Sequence, residues 1–163
     1  MIIVKKNGYL QYKNFKFRCA IGKAGIKKKV REGDNITPKG TYKLINIFYR
    51  PDRIGELKTD IKKNKITKKI GWCDDINSKY YNRKIELPCK LKHERLHRKD
   101  NIYDIIGVLN YNINPVIKNK GSAIFLHIAK KNYQKTQGCI AVKKIHLKKL
   151  LSVIGKNTKI KIE

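Results

Sequence analysis

Of the 163 residues in this chain, only one segment carries the 3.6-residue period of a helix. From His146 to Ile154, the apolar residues Leu147, Leu150, Leu151 and Ile154 fall at i, i+3, i+4 and i+7, with lysines opposite. Gly155 stands where a helix stop belongs. The other apolar stretches are short and read as strands. Ile2–Lys5 and Tyr9–Lys13 flank Asn7-Gly8, the strongest short hairpin signal because both residues tolerate positive φ. Phe15–Ile21 alternates apolar and polar residues, and Thr41–Tyr49 is β-branched and aromatic up to Pro51. Ile102–Leu109 and Ala123–Ala129 read as buried strands, and Thr158–Ile162 as a last one. The expectation is one mostly-β domain over 1–163 with a short helix near the C-terminus.

Two stretches break this rhythm. Gly22–Gly40 is punctuated as a loop by Gly22, Gly25, Gly33, Pro38 and Gly40. From Asp52 to about Lys99 periodicity fades through a Lys-rich run, Lys58–Lys69, and then Gly71-Trp72-Cys73-Asp74-Asp75 and Tyr80-Tyr81-Asn82-Arg83. A loop of that length is usually functional. Neither repeats nor a domain linker interrupt the chain.

Composition narrows the function classes. Hydrophobic residues at 40% suffice for a core, which argues against disorder. No apolar run approaches the roughly 18 residues that cross a bilayer as a helix, so no integral membrane association is expected. The start, MIIVKKNGYLQYK, lacks the charge-first apolar pattern of a secretory signal. The expected location is therefore the cytoplasm, or the periplasm if a precursor carries a signal missing here. The formal charge of +28 points first to nucleic acid. Yet lysines outnumber arginines 33 to 7 and are spread along the whole chain, whereas nucleic-acid readers favour arginine. Lys, Ile and Asn are abundant together, and their codons are rich in A and T, so base composition explains the charge better. No specific nucleic-acid partner is expected.

The cysteines Cys19, Cys73, Cys89 and Cys139 match no zinc-ribbon spacing and are too sparse for a disulfide scaffold. The sequence leaves open whether Cys73 and Cys89 pair or pack. Cys139 follows Gly138 in Thr136-Gln-Gly-Cys-Ile-Ala-Val142, and His127 ends a buried strand, so the two are candidate nucleophile and base. Gly138 would let the backbone turn its amides toward a bound carbonyl. A second candidate is His93-Glu94-Arg95-Leu96-His97, which matches the H-E-x-x-H zinc pattern and on a helix would put both histidines on one face. Pro88 and Asp100 leave room for barely two turns there, the flanks are charged and a third ligand is hard to find. No metal is expected.

His127 followed by Thr136-Gln-Gly-Cys139 resembles the catalytic signature of the YkuD-type L,D-transpeptidase family, a strand-borne His and then Ser/Thr-x-Gly-Cys. The resemblance covers nearly the whole chain. Arg31-Glu-Gly-Asp34 with Thr37-Pro-Lys-Gly40, Gly71-Trp-Cys-Asp-Asp75, Tyr81-Asn-Arg83, His93-Glu94, Arg98, Asp100, Tyr103-Asp104 and Gly121-Ser122 resemble its compact bacterial branch. The resemblance implies a sandwich-like mixed sheet and a monomeric enzyme without cofactor, acting on peptidoglycan stem peptides or muropeptides. Cys139 would attack the stem-peptide carbonyl, His127 would move the proton, and the Gly138 and Cys139 amides would hold the oxyanion. A backbone carbonyl would orient the imidazole. The thioester would pass to an amine or, in an L,D-carboxypeptidase, to water. Thr136 keeps the hydroxyl of the signature. Ile128 stands where many members have Gly, and Ala141 where many have an Arg that helps organise the site. Arg98 and His93 are the candidates for that role and for binding substrate together with Thr136.

Overall fold

In a computed structural model covering residues 1–163, the N-terminal hairpin forms from β1 (Ile2–Lys5) and β2 (Tyr9–Tyr12), through a different turn from the expected one. Its loop is Lys6–Gly8, and only Gly8 takes a positive φ, +79°. That is the longer loop with a left-handed glycine, not the two-residue turn with positive φ at both positions. Strand β3 (Phe15–Ala20) continues the antiparallel meander, pairing Leu10 with Phe17. The segment expected as a loop holds two short parallel strands, β4 (Ile26–Lys27) and β5 (Thr37–Pro38). The long strand β6 (Gly40–Tyr49) leads into a single helical turn, α1 (Pro51–Ile54), with proline at its start.

The aperiodic stretch after Asp52 is not one loop. It contains the edge strand β7 (Lys63–Lys65) and a three-stranded sheet of β8 (Ile70–Cys73), β9 (Lys84–Glu86) and β10 (His93–Arg95). These strands are three or four residues each and only β9 shows a clean exposed–buried alternation, which is too little to register as a period. Then come β11 (Ile105–Leu109), β12 (Phe125–Ile128), β13 (Ile140–Val142), helix α2 (Lys144–Val153) and β14 (Lys159–Ile162). The one segment with helical period is thus the long helix, begun two residues before His146 and ended one residue before Ile154. No helix is long and apolar enough to cross a membrane.

The main sheet has nine strands in the order β11-β12-β13-β3-β2-β1-β14-β6-β7, and β11 also pairs with β6, so hydrogen bonding closes on itself. It is mixed: β1 with β14, β12 with β13 and β6 with β7 are parallel. One face covers a core of 26 buried residues, into which α2 sends Leu147, Leu150 and Leu151. The end of β6 (Ile47–Tyr49) and all of β11 and β12 are buried on both faces, which is why Ile105–Leu109 and Ala123–Ala129 are nearly unbroken apolar runs. Their second face, with Phe48, Ile106, Val108 and Phe125, packs on Trp72, Leu96 and Tyr103 in a smaller core. That second face carries the candidate site.

Candidate active site

Parallel pairing of β12 with β13 aligns His127 with Ala141. Side chains alternate with period two, so Phe125 and His127 share a face with Ala141 and with Cys139, which precedes β13 directly. His127 and Cys139 open onto one cavity of about 440 Å³, shared with Glu94, Arg98, Tyr103 and Thr136. Eleven residues of chain, 129–139, leave β12, turn and return to bring the two together, a juxtaposition that needs the parallel pair.

The thiol is held at its edge. Cys139 Sγ donates to Ala123 O at 3.1 Å and accepts from the Phe125 N–H at 3.4 Å. Ala123 is buried with φ +51°, a conformation unusual for alanine. It is pinned there from three directions. Its N–H donates to Asn82 Oδ1 at 3.0 Å, which also accepts from Trp72 Nε1 at 3.0 Å. The Asn82 amide donates in turn to the carbonyls of Tyr111 and Asn112, so this buried side chain is fully used. Next door, Gly121 N–H donates to Tyr81 Oη at 2.9 Å, and Ser122 Oγ donates to Glu32 at 2.8 Å. The hydroxyl of Tyr81 donates to the same Glu32 carboxylate. Glu32, Tyr81-Asn82 and Gly121-Ser122, far apart in the chain, thus converge on the carbonyl that holds the thiol.

The turn before Cys139 is set by Thr136. Its hydroxyl donates to Cys139 O at 2.6 Å and accepts from the Gly138 N–H at 3.1 Å. Gly138 has φ +140°, and a Cβ there would sit 2.9 Å from Ile36 O, so only glycine fits. Because the Gly138 N–H is already engaged by Thr136, the Cys139 N–H, which has no backbone acceptor, is the uncommitted donor of the two amides.

His127 is buried, and its Nδ1 lies 2.9 Å from Ile128 O. A carbonyl only accepts, so Nδ1 carries the proton and Nε2 is the basic nitrogen. Burial pushes the imidazole down to about 4 and the Cys139 thiol up to about 12, the latter helped by the Glu94 carboxylate. At neutral pH the resting pair is therefore thiol and neutral imidazole, not thiolate and imidazolium.

The cavity divides its charge. Glu32, Asp74 and Glu94, three of the chain's 12 acidic residues, line it together with Lys23, Lys29, Arg98, Lys130 and Lys135. Lys29 is itself buried and paired with Asp34 at 2.5 Å. Arg98 reaches the cavity while gripping Asp100 at 2.9 and 2.7 Å.

His93 does not line the cavity. It sits on β10 with Nδ1 2.6 Å from Leu91 O and 3.6 Å from Cys89 Sγ. The zinc-like pattern begins on that strand instead of a helix, and extended chain at about 3.3 Å per residue carries His97, past the end of the strand, away from His93. No group of three or more His, Cys, Asp or Glu side chains is arranged to hold a metal ion. Cys73 and Cys89 are both free; Cys73 packs on Ile85 and Leu87, with Cys89 against the same cluster. The parts that sequence reasoning missed are the Asn82–Ala123 support and the Thr136 bond to Gly138. Asn82 stood within a recognised motif, but nothing local announced its partners.

A closed mixed β sheet thus brings a strand-borne histidine, and a cysteine just ahead of the neighbouring parallel strand, to one charged cavity, the layout of a catalytic domain. The family model for YkuD, the L,D-transpeptidase catalytic domain, matches residues 1–162, and the chain belongs to that family. It is an L,D-transpeptidase-type catalytic domain acting on peptidoglycan. No curated protein matches the chain.

Proposed function

We propose that the protein is a cysteine acyl-transferase that forms a thioester between Cys139 and a peptidoglycan stem peptide. The observation that carries this reading is the shared cavity of Cys139 and His127, with Nε2 left basic by the Nδ1 bond to Ile128. The thiol gives up Ala123 O, its proton passes to His127 Nε2, and sulfur bonds to the carbonyl carbon. The oxyanion is met by the Cys139 N–H. On collapse the C–N bond breaks, and the imidazolium returns the proton to the departing D-amino acid. An amine of a second stem then attacks the thioester, loses its proton to His127 and frees the thiol. The divided charge of the cavity suits a substrate that carries both carboxylates and an amine.

The test is incubation with a disaccharide tetrapeptide, with and without an acceptor stem, followed by mass spectrometry. The proposal expects release of the terminal D-residue, a cross-linked product when the acceptor is present, and neither with Cys139→Ala. Release without cross-linking in both mixtures would make water the acceptor and the enzyme an L,D-carboxypeptidase. Release that survives Cys139→Ala would overturn the proposal.

A further inference from the structure

His127 has one polar partner, Ile128 O, and its paired position on β13 offers only the methyl group of Ala141. A single hydrogen bond fixes one ring atom and leaves the tilt of the ring to its packing. That packing comes from Tyr103. The Tyr103 ring meets the imidazole edge-on, with centroids 5.3 Å apart and planes at 78°. The same ring packs on Phe125 at 6.0 Å, and Phe125 in turn on Trp72 at 5.3 Å. Tyr103 is held at both ends. Its hydroxyl donates to Glu94 Oε2 at 2.7 Å, and the Arg98 guanidinium lies 5.3 Å from its ring centroid, itself fixed by Asp100. Burial keeps the Tyr103 hydroxyl protonated far above its ordinary range, so it remains a donor to Glu94.

We infer that Tyr103, clamped between Glu94 and Arg98, is the positioning residue that orients the His127 imidazole. Glu94 belongs to the His93–His97 stretch that reads as a zinc pattern in the sequence, and Arg98 follows it directly. On strand β10 and the turn after it, that stretch supplies a tyrosine clamp instead. Edge-to-face packing sets ring orientation more closely than aliphatic contact does, because the positive ring edge seeks the negative face. The arrangement acts only through His127, so its effect on turnover rests on the acyl-transfer reading, whereas its effect on the imidazole does not.

The test uses the full chain with ¹⁵N-labelled histidine, alongside tetrapeptide turnover. Wild-type His127 is expected as one tautomer, protonated on Nδ1. Tyr103→Leu should shift the ring nitrogens toward tautomer averaging and lower kcat about 100-fold, the scale of a misplacement near 1 Å, with little change in KM. Glu94→Ala should lose about tenfold, roughly one hydrogen bond, and Glu94→Gln, whose amide oxygen still accepts from Tyr103, should recover most of that loss. In a His127→Ala background, Tyr103→Leu should cost nothing further. The inference is overturned if Tyr103→Leu and Glu94→Ala lower the melting temperature but leave the His127 nitrogen shifts in place. It is overturned equally if the costs of Tyr103→Leu and His127→Ala multiply. Should Tyr103→Leu fail to fold, the Glu94 pair decides by the same shifts. A wild-type protein that turns over no tetrapeptide would refute the acyl-transfer reading, and the nitrogen shifts alone would then decide the positioning.

Discussion

Alkylation of Cys139 by iodoacetamide reads the resting state of the nucleophile directly. Burial lifts the thiol from an ordinary 9.0 to about 12. At pH 7 that cuts the thiolate fraction about a thousandfold relative to an unperturbed thiol. A more basic thiolate is also more nucleophilic, by about 20-fold over that interval at a Brønsted slope of 0.4–0.5. The net expectation is labelling about 50-fold slower than a free thiol of ordinary acidity at pH 7. The rate should rise about tenfold per pH unit through pH 10 without a plateau, as a thiol titrating near 12 requires. Quench, digestion and mass spectrometry resolve Cys139 from Cys19, Cys73 and Cys89. Labelling as fast as a free thiol at pH 7, levelling off above neutrality, would mean a preformed thiolate–imidazolium pair. The neutral-pair account would then be wrong, and with it the role of Ala123 O as the resting acceptor.

Two further outcomes follow from the same geometry. Thr136→Val removes the acceptor of the Gly138 N–H and the donor to Cys139 O. It should cost about 1–3 kcal/mol in chemical denaturation, and Thr136→Ser should restore most of it. His127 sits at about 4 in the fold against an ordinary 6.5, so the folded state binds its proton later than the unfolded chain. Stability should therefore fall as pH drops from 6.5 toward 4, by about 3 kcal/mol from this group, and His127→Gln should lose correspondingly less over the same window.

The strands nearest the site were the most legible, because burial on both faces writes itself as an unbroken apolar run at Ile105–Leu109 and Phe125–Ile128. Helix α2 was equally plain, since one face of it meets the core and the other meets water. Strand β13 was not foreseen: at three residues, Ile140–Val142 is too short to show a period, and its parallel partner is set by tertiary pairing. Strands β8 to β10 were hidden because each runs only three or four residues, and β8 is buried along nearly its whole length instead of on alternate residues. Cys139 and His127 could be singled out because their chemistry needs those residue types at that motif. Their supports could not, because Asn82, Ala123 and Tyr103 act through partners that sequence distance separates. The zinc-like pattern shows the converse: His93 and His97 share a helical face only if a helix forms, and the β8 pairing of His93–Arg95 makes it a strand. The charge of +28 was the loudest compositional feature, yet the site is distinguished by the few acidic residues gathered in its cavity.

The defining intermediate of the proposed reaction is a covalent acyl group on one sulfur. Acid quench of the protein during turnover of a disaccharide tetrapeptide, followed by intact mass measurement, reads it most directly. The expected adduct equals the tetrapeptide donor minus its terminal D-residue, maps to Cys139 after digestion, is cleared by hydroxylamine and is missing from Cys139→Ala. Turnover with no adduct at any quench time, and with Cys139→Ala still active, would contradict it.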